Sequence, residues 1–84
     1  MTTKAKRADI AGMLERLACG EVAVADVQAY FKKEWPSDAD SDVIDAFHFL
    51  QHFEADEDIR ARDSDYSRSQ LETLRSFAKR LRGR

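Results

Sequence analysis

Cysteine, proline and glycine are scarce in this 84-residue chain, which has one Cys, one Pro and three Gly. A lone thiol, Cys19, excludes an internal disulfide. Secreted domains of this size usually lean on disulfides, so the expected setting is a reducing cytoplasm. No apolar run approaches the length that crosses a bilayer, and no membrane partner is expected. The opening "MTTKAKRADI" is basic with no apolar stretch behind it. It does not read as a secretory signal, and residues 1–7 are expected as a loose tail. Strand-like alternation is missing over any useful length, which argues against a sheet. No glycine-rich phosphate loop is present, and no cofactor is expected.

What remains is helical. Apolar residues make up 43% of the chain and charged residues 36%, a balance that suits one small domain with a charged shell over residues 1–84. Ile10, Met13, Leu14 and Leu17 fall on one helical face, and Gly20 follows as a left-handed stop. Val27, Tyr30, Phe31 and Trp35 form the next stripe, from about residue 24 to 35. Pro36 ends it, because the residue before a proline avoids helical geometry. A third helix is expected from about residue 42 to 53. Its core face is Val43, Ala46, Phe47, Leu50 and Phe53, widened by Phe49. The last helix is expected after "RDSDY", with Ser67 and Gln70 at capping-box spacing. Leu71, Leu74, Phe77, Ala78 and Leu81 line its inner side. The predicted fold is all-α, a compact four-helix bundle with Phe47 and Leu50 in the core.

The net charge of -2 hides a pattern. Residues 37–65 carry ten acids against Arg60 and Arg62, whereas the last 19 residues carry six basic side chains against Glu72. Five of those basic residues lie between Arg75 and Arg84 without an interleaved aromatic on the polar face. With a pI near 5.6, direct nucleic-acid binding is not expected. Helix-dipole complementation and pairing with the acidic middle account for this basic helix.

Candidate chemistry is sparse. His48 and His52 stack on one helical face, with Asp45 and Asp56 in the same line. Two histidines at this spacing are common on helices, so no metal site is expected. Cys19 lies at a helix end beside Glu21, where the dipole disfavours a thiolate. No acid, base and stabiliser assemble into a catalytic pattern, and the chain is not expected to be an enzyme. "DADSDVIDAF" briefly resembles an acyl carrier protein, in which Ser41 would carry phosphopantetheine. No glycine precedes it, however, and Asp42 stands where that family has leucine. Ser41 is instead expected as a helix cap.

"LERLACGEVAVADVQAYFKKEWP" resembles the opening of the colicin D type of bacterial immunity protein. The resemblance is carried by Leu14, Leu17, Gly20, Glu21, Tyr30, Phe31 and Trp35. It departs at Ala23, where a capping serine is commoner. "VIDAFHFLQHFEADEDIRARDSDYSRSQLETL" then follows the family's order of aromatic helix, acidic stretch and Leu-bearing last helix. The resemblance implies a small bacterial helical protein that neutralises a cognate toxin, often a basic nuclease. Carboxylates would mimic the phosphate that such a nuclease holds. Asp56, Glu57, Asp58 and Asp63 are the expected toxin contacts, with Phe49 and Tyr66 as aromatic anchors. The plainer account is that these acids are solvated or paired internally. The competing functional class is a helical protein-interaction module, with a homodimer burying Trp35, Phe49 or Tyr66.

Overall fold

A computed structural model describes residues 2–83. It is all-α, with five helices: α1 (Lys4–Ala18), α2 (Val24–Glu34), α3 (Ser41–Ala55), α4 (Glu57–Arg62) and α5 (Ser64–Arg82). Among the described residues there is no strand. No described helix is long and apolar enough to cross a membrane.

Local chemistry explains most of the boundaries. Gly20 sits at φ 78°. Its N–H bonds the Leu17 carbonyl, and the Glu21 N–H bonds the Arg16 carbonyl at 2.9 Å, closing α1 with the paired bonds of a left-handed glycine stop. At the start of α2, Ala23 has no side-chain acceptor. Asp26 supplies half of a capping box by accepting from the Ala23 N–H at 3.1 Å. Trp35 turns extended, at ψ 121°, ahead of Pro36. Asp40, one residue before Ser41, caps α3 through the Val43 N–H at 3.1 Å.

Three expectations about helix number and helix bounds are corrected. The bundle has a fifth helix, α4, inside the acidic stretch. It buries no residue, so it carries no apolar stripe for periodicity to detect; Glu57 and Asp58 at its start and Arg60 and Arg62 at its end suit its dipole instead. The last helix begins at Ser64, not after Tyr66, because Asp63 caps it by accepting from the Asp65 and Tyr66 N–H groups at 3.1 and 3.0 Å. The supposed tail is helical from Lys4, with Thr3 as its cap, while Met1 lies outside the described residues.

Arg7, within that segment, is only 3% exposed. It donates to the Leu81 and Arg80 carbonyls, each at 3.1 Å, and to Asp42 at 3.0 Å, and it also pairs with Asp40. One guanidinium therefore satisfies carbonyls in the last turn of α5 while meeting the cap and first turn of α3. Thr2 adds a smaller tie by accepting from the Asp40 N–H at 3.0 Å.

Around this junction the core gathers Ile10, Leu14, Val27, Phe31, Val43, Leu50, Leu74 and Leu81, all nearly sealed from solvent. α1 packs most extensively against α5. Phe47, expected in the core beside Leu50, is only half-buried and packs on the cluster from its edge. It faces the groove between α2 and α3 rather than the bundle axis. The basic helix α5 pairs with more than the acidic middle. Arg80 reaches Asp42 at 3.7 Å, but Arg82 makes a two-pronged contact with Glu15 of α1, at 2.7 and 3.0 Å.

Candidate functional site

The acidic expectation centres on the corner where α3, α4 and α5 meet. Asp56 ends α3 and begins α4. Its carboxylate accepts from the Tyr66 hydroxyl at 2.6 Å and from Gln70 Nε2 at 3.1 Å. Gln70 Nε2 also donates to the Tyr66 oxygen at 3.2 Å, and Gln70 Oε1 accepts from Arg60 at 2.7 Å. Arg60 further bonds the Phe53 carbonyl, and its guanidinium lies 3.5 Å from the centre of the Phe53 ring. The i, i+4 pair Tyr66–Gln70 thereby links Asp56 to Arg60 in one network. The hydrogen bond to Asp56 raises the Tyr66 phenol above its ordinary value, with desolvation adding to the effect.

The structure brings the expected contact residues to this corner in different roles. Asp56 and Tyr66 bind each other. Asp63 caps α5. Glu57 and Asp58 stand exposed in the first turn of α4, next to Ile59, which is 44% exposed. Phe49 is half-buried, with its ring 6.3 Å from that of Phe53 and 5.6 Å from that of Phe77. It fills the seam between α3 and α5. The anchoring residues that sequence reasoning missed are Arg60 and Gln70. Their four-residue spacing from Asp56 and Tyr66 was the available signal.

A second feature lies between α2 and α3. Phe31, Lys32, Trp35 and Phe47 line an open groove of about 310 Å³. Ring centres are 5.9 Å apart for Phe31–Trp35, 5.5 Å for Phe31–Phe47 and 5.2 Å for Trp35–Phe47. Trp35 is 42% exposed, so the stripe predicted for the core turns outward at its end.

The remaining candidates stay apart from both features. His48 and His52 are exposed, and among the described residues no three His, Cys, Asp or Glu side chains gather as a metal site. Ser41 is the exposed first residue of α3 and not its cap. Cys19 is exposed at the end of α1. Comparison of the chain with protein-family models, curated proteins and solved structures gives no match.

Proposed function

We propose that this chain is a binding protein whose contact surface is the α4 corner, and that its partner is a basic protein. Within the immunity-protein resemblance, that partner is a nuclease-type toxin. The observation that carries this reading is α4 itself. It contributes nothing to the core, yet Arg60, Gln70, Tyr66 and Asp56 hold it in place. A helix fixed without being buried is suited to display. What it displays is an apolar residue, Ile59, beside Glu57 and Asp58. An apolar anchor within a charged rim matches the anatomy of a binding hot spot. Because the corner is ordered beforehand, little freedom is lost on binding. Asp56, Tyr66, Asp63 and Phe49 then act by positioning the surface rather than by touching the partner.

The test is association of the chain with the product of a neighbouring toxin gene, followed by stopped flow at low and high salt. Double reversal, Glu57→Lys with Asp58→Lys, is expected to slow association most at low salt, where screening is weakest. A basic toxin that binds the double variant as fast as the parent at low salt would falsify the acidic mechanism. If the toxin does not associate with the parent chain, the immunity reading falls.

A further inference from the structure

α4 is joined to the bundle differently from the other four helices. Each of those buries apolar side chains in the shared core, whereas α4 buries none. Among the described residues, Arg60 is the α4 side chain that bonds outside its own helix. It holds the Phe53 carbonyl near the end of α3, covers the Phe53 ring and donates to Gln70 Oε1 on α5.

Gln70 is only 6% exposed, and its amide is oriented from both ends. Nε2 donates to the Asp56 carboxylate and the Tyr66 oxygen, while Oε1 accepts from Arg60. A flipped amide would aim its oxygen at the carboxylate and its N–H groups at the guanidinium. One buried amide therefore ties the residue that begins α4 to the residue that anchors it.

The chain allows α4 to move alone. Asp56, at ψ 14°, and Asp63, at ψ 102°, interrupt the helical path on either side of it. Beyond them α3 and α5 hold each other without α4, through Phe49 against Phe77 and through Leu50 and Leu74 in the sealed core. Releasing α4 forfeits hydrogen bonds and the cover over Phe53, and it returns conformational freedom to six residues. Releasing any other helix would also forfeit buried apolar area.

We propose that α4 is a hinged flap that opens as a unit between Asp56 and Asp63 while α1, α2, α3 and α5 stay packed, with Gln70 as its latch. Its bearing on binding rests on the α4 contact reading above: only the closed flap presents Ile59, Glu57 and Asp58 at fixed spacing. The flap itself needs no partner, so the two can fail separately.

The experiment is native-state amide exchange of the full-length protein at graded, sub-denaturing urea. The Arg60 and Asp63 amides bond the Asp56 and Ile59 carbonyls at 3.0 and 2.9 Å and report on α4. Both are expected to exchange through one shared opening with a shallow urea dependence, because little surface is exposed. The Leu50 and Leu74 amides should follow global unfolding and its steep dependence. Gln70→Met keeps the bulk and removes the bonds. It should speed Arg60 and Asp63 exchange about five- to thirtyfold, the effect of losing one or two hydrogen bonds of ordinary net strength. Ile10→Val trims the core, which is the same in the closed and open forms. It should speed Leu50 and Leu74 exchange about two- to twelvefold and leave Arg60 and Asp63 unchanged. Three results would overturn the proposal: α4 amides that share the steep urea dependence of Leu50 and Leu74, α4 amides that Ile10→Val speeds as much as Leu74, or α4 exchange that Gln70→Met does not alter.

Discussion

Arg7 and Asp42 face each other at 3.0 Å, and both are almost wholly buried. They come from different helices, and the same guanidinium holds two carbonyls near the end of α5. Burying a charge is unfavourable unless every donor finds an acceptor. Here Asp40, Asp42, Arg80 and Leu81 supply those acceptors. The pair therefore sets the relative placement of α1, α3 and α5 more than it adds net attraction.

Removing Arg7 takes the 3.0 Å partner from the buried Asp42 carboxylate, which then relies on longer contacts such as Arg80 at 3.7 Å. Arg7→Met is expected to destabilise the fold by about 3–5 kcal/mol. Arg7→Lys keeps the charge but loses the forked geometry that reaches two carboxylates and two carbonyls at once. It should therefore recover only part of the loss. Urea unfolding followed by circular dichroism checks both variants. A loss below about 1 kcal/mol for Arg7→Met, typical of exposed pairs, would show that the junction is not a buried one.

The same junction gives a pH dependence. Burial pushes the Asp40 carboxyl up, but the Val43 N–H and Arg7 outweigh it and leave the group below its ordinary value. Hydrogen bonding to Arg82 likewise lowers Glu15. A carboxylate depressed in the folded state stabilises above its unfolded value, about 4, and that contribution is lost as pH falls through the folded value. The urea midpoint is expected to be insensitive to these groups near neutrality and to drop below about pH 4. Asp40→Asn should make the acid drop shallower. An unchanged slope would remove Asp40 from this account.

For the two tyrosines the sign reverses. Burial raises Tyr30, and the bond to Asp56 raises Tyr66. Both phenols are expected to ionise above their ordinary value of 10.0. The corresponding stability is present below that value and lost as pH rises through the folded one. Ultraviolet titration of Tyr30→Phe isolates Tyr66, and adding Asp56→Asn should move the remaining transition downward. Amide exchange in α4 should also quicken in Tyr66→Phe and Gln70→Ala, because the helix has no buried side chain to hold it. Unaltered exchange would mean that the network does not hold α4.

The contrast between α3 and α4 shows what the sequence made legible. Val43, Ala46, Leu50 and Phe53 recur at helical spacing and are buried as that spacing requires. α4 has no such stripe, and Arg60 bonds across to Gln70 on the next helix, a contact that periodicity within one helix cannot carry. Arg7 was hidden for a related reason. A basic residue near a chain start reads as solvated unless Asp40 and Asp42, more than 30 positions away, are known to meet it. At the acidic corner the residue types were readable, but their division into internal partners and displayed groups was not. Asp56 and Glu57 are neighbours of like charge, and only the fold distinguishes the one bonded to Tyr66 from the one in solvent.

Phe47 and Leu50 provide a direct test of edge against core. Ranked by side-chain size, truncating the phenylalanine should be the more damaging change. The structure reverses that order. Leu50 is 0% exposed, so Leu50→Ala leaves a sealed cavity that the surrounding helices close only in part, with an expected loss of about 2–5 kcal/mol. Phe47 already borders the open α2–α3 groove. Phe47→Ala would widen a space that water enters, so the cavity contribution largely disappears and the transfer contribution of a half-buried ring remains, about 1–3 kcal/mol. Trp35 lies 5.2 Å from the Phe47 ring, and its emission should move to longer wavelength in Phe47→Ala but hardly at all in Leu50→Ala. Urea midpoints and emission maxima of the two variants decide the matter together. If Phe47→Ala proves the more destabilising change and leaves Trp35 emission in place, Phe47 belongs to the core and the groove is closed in solution.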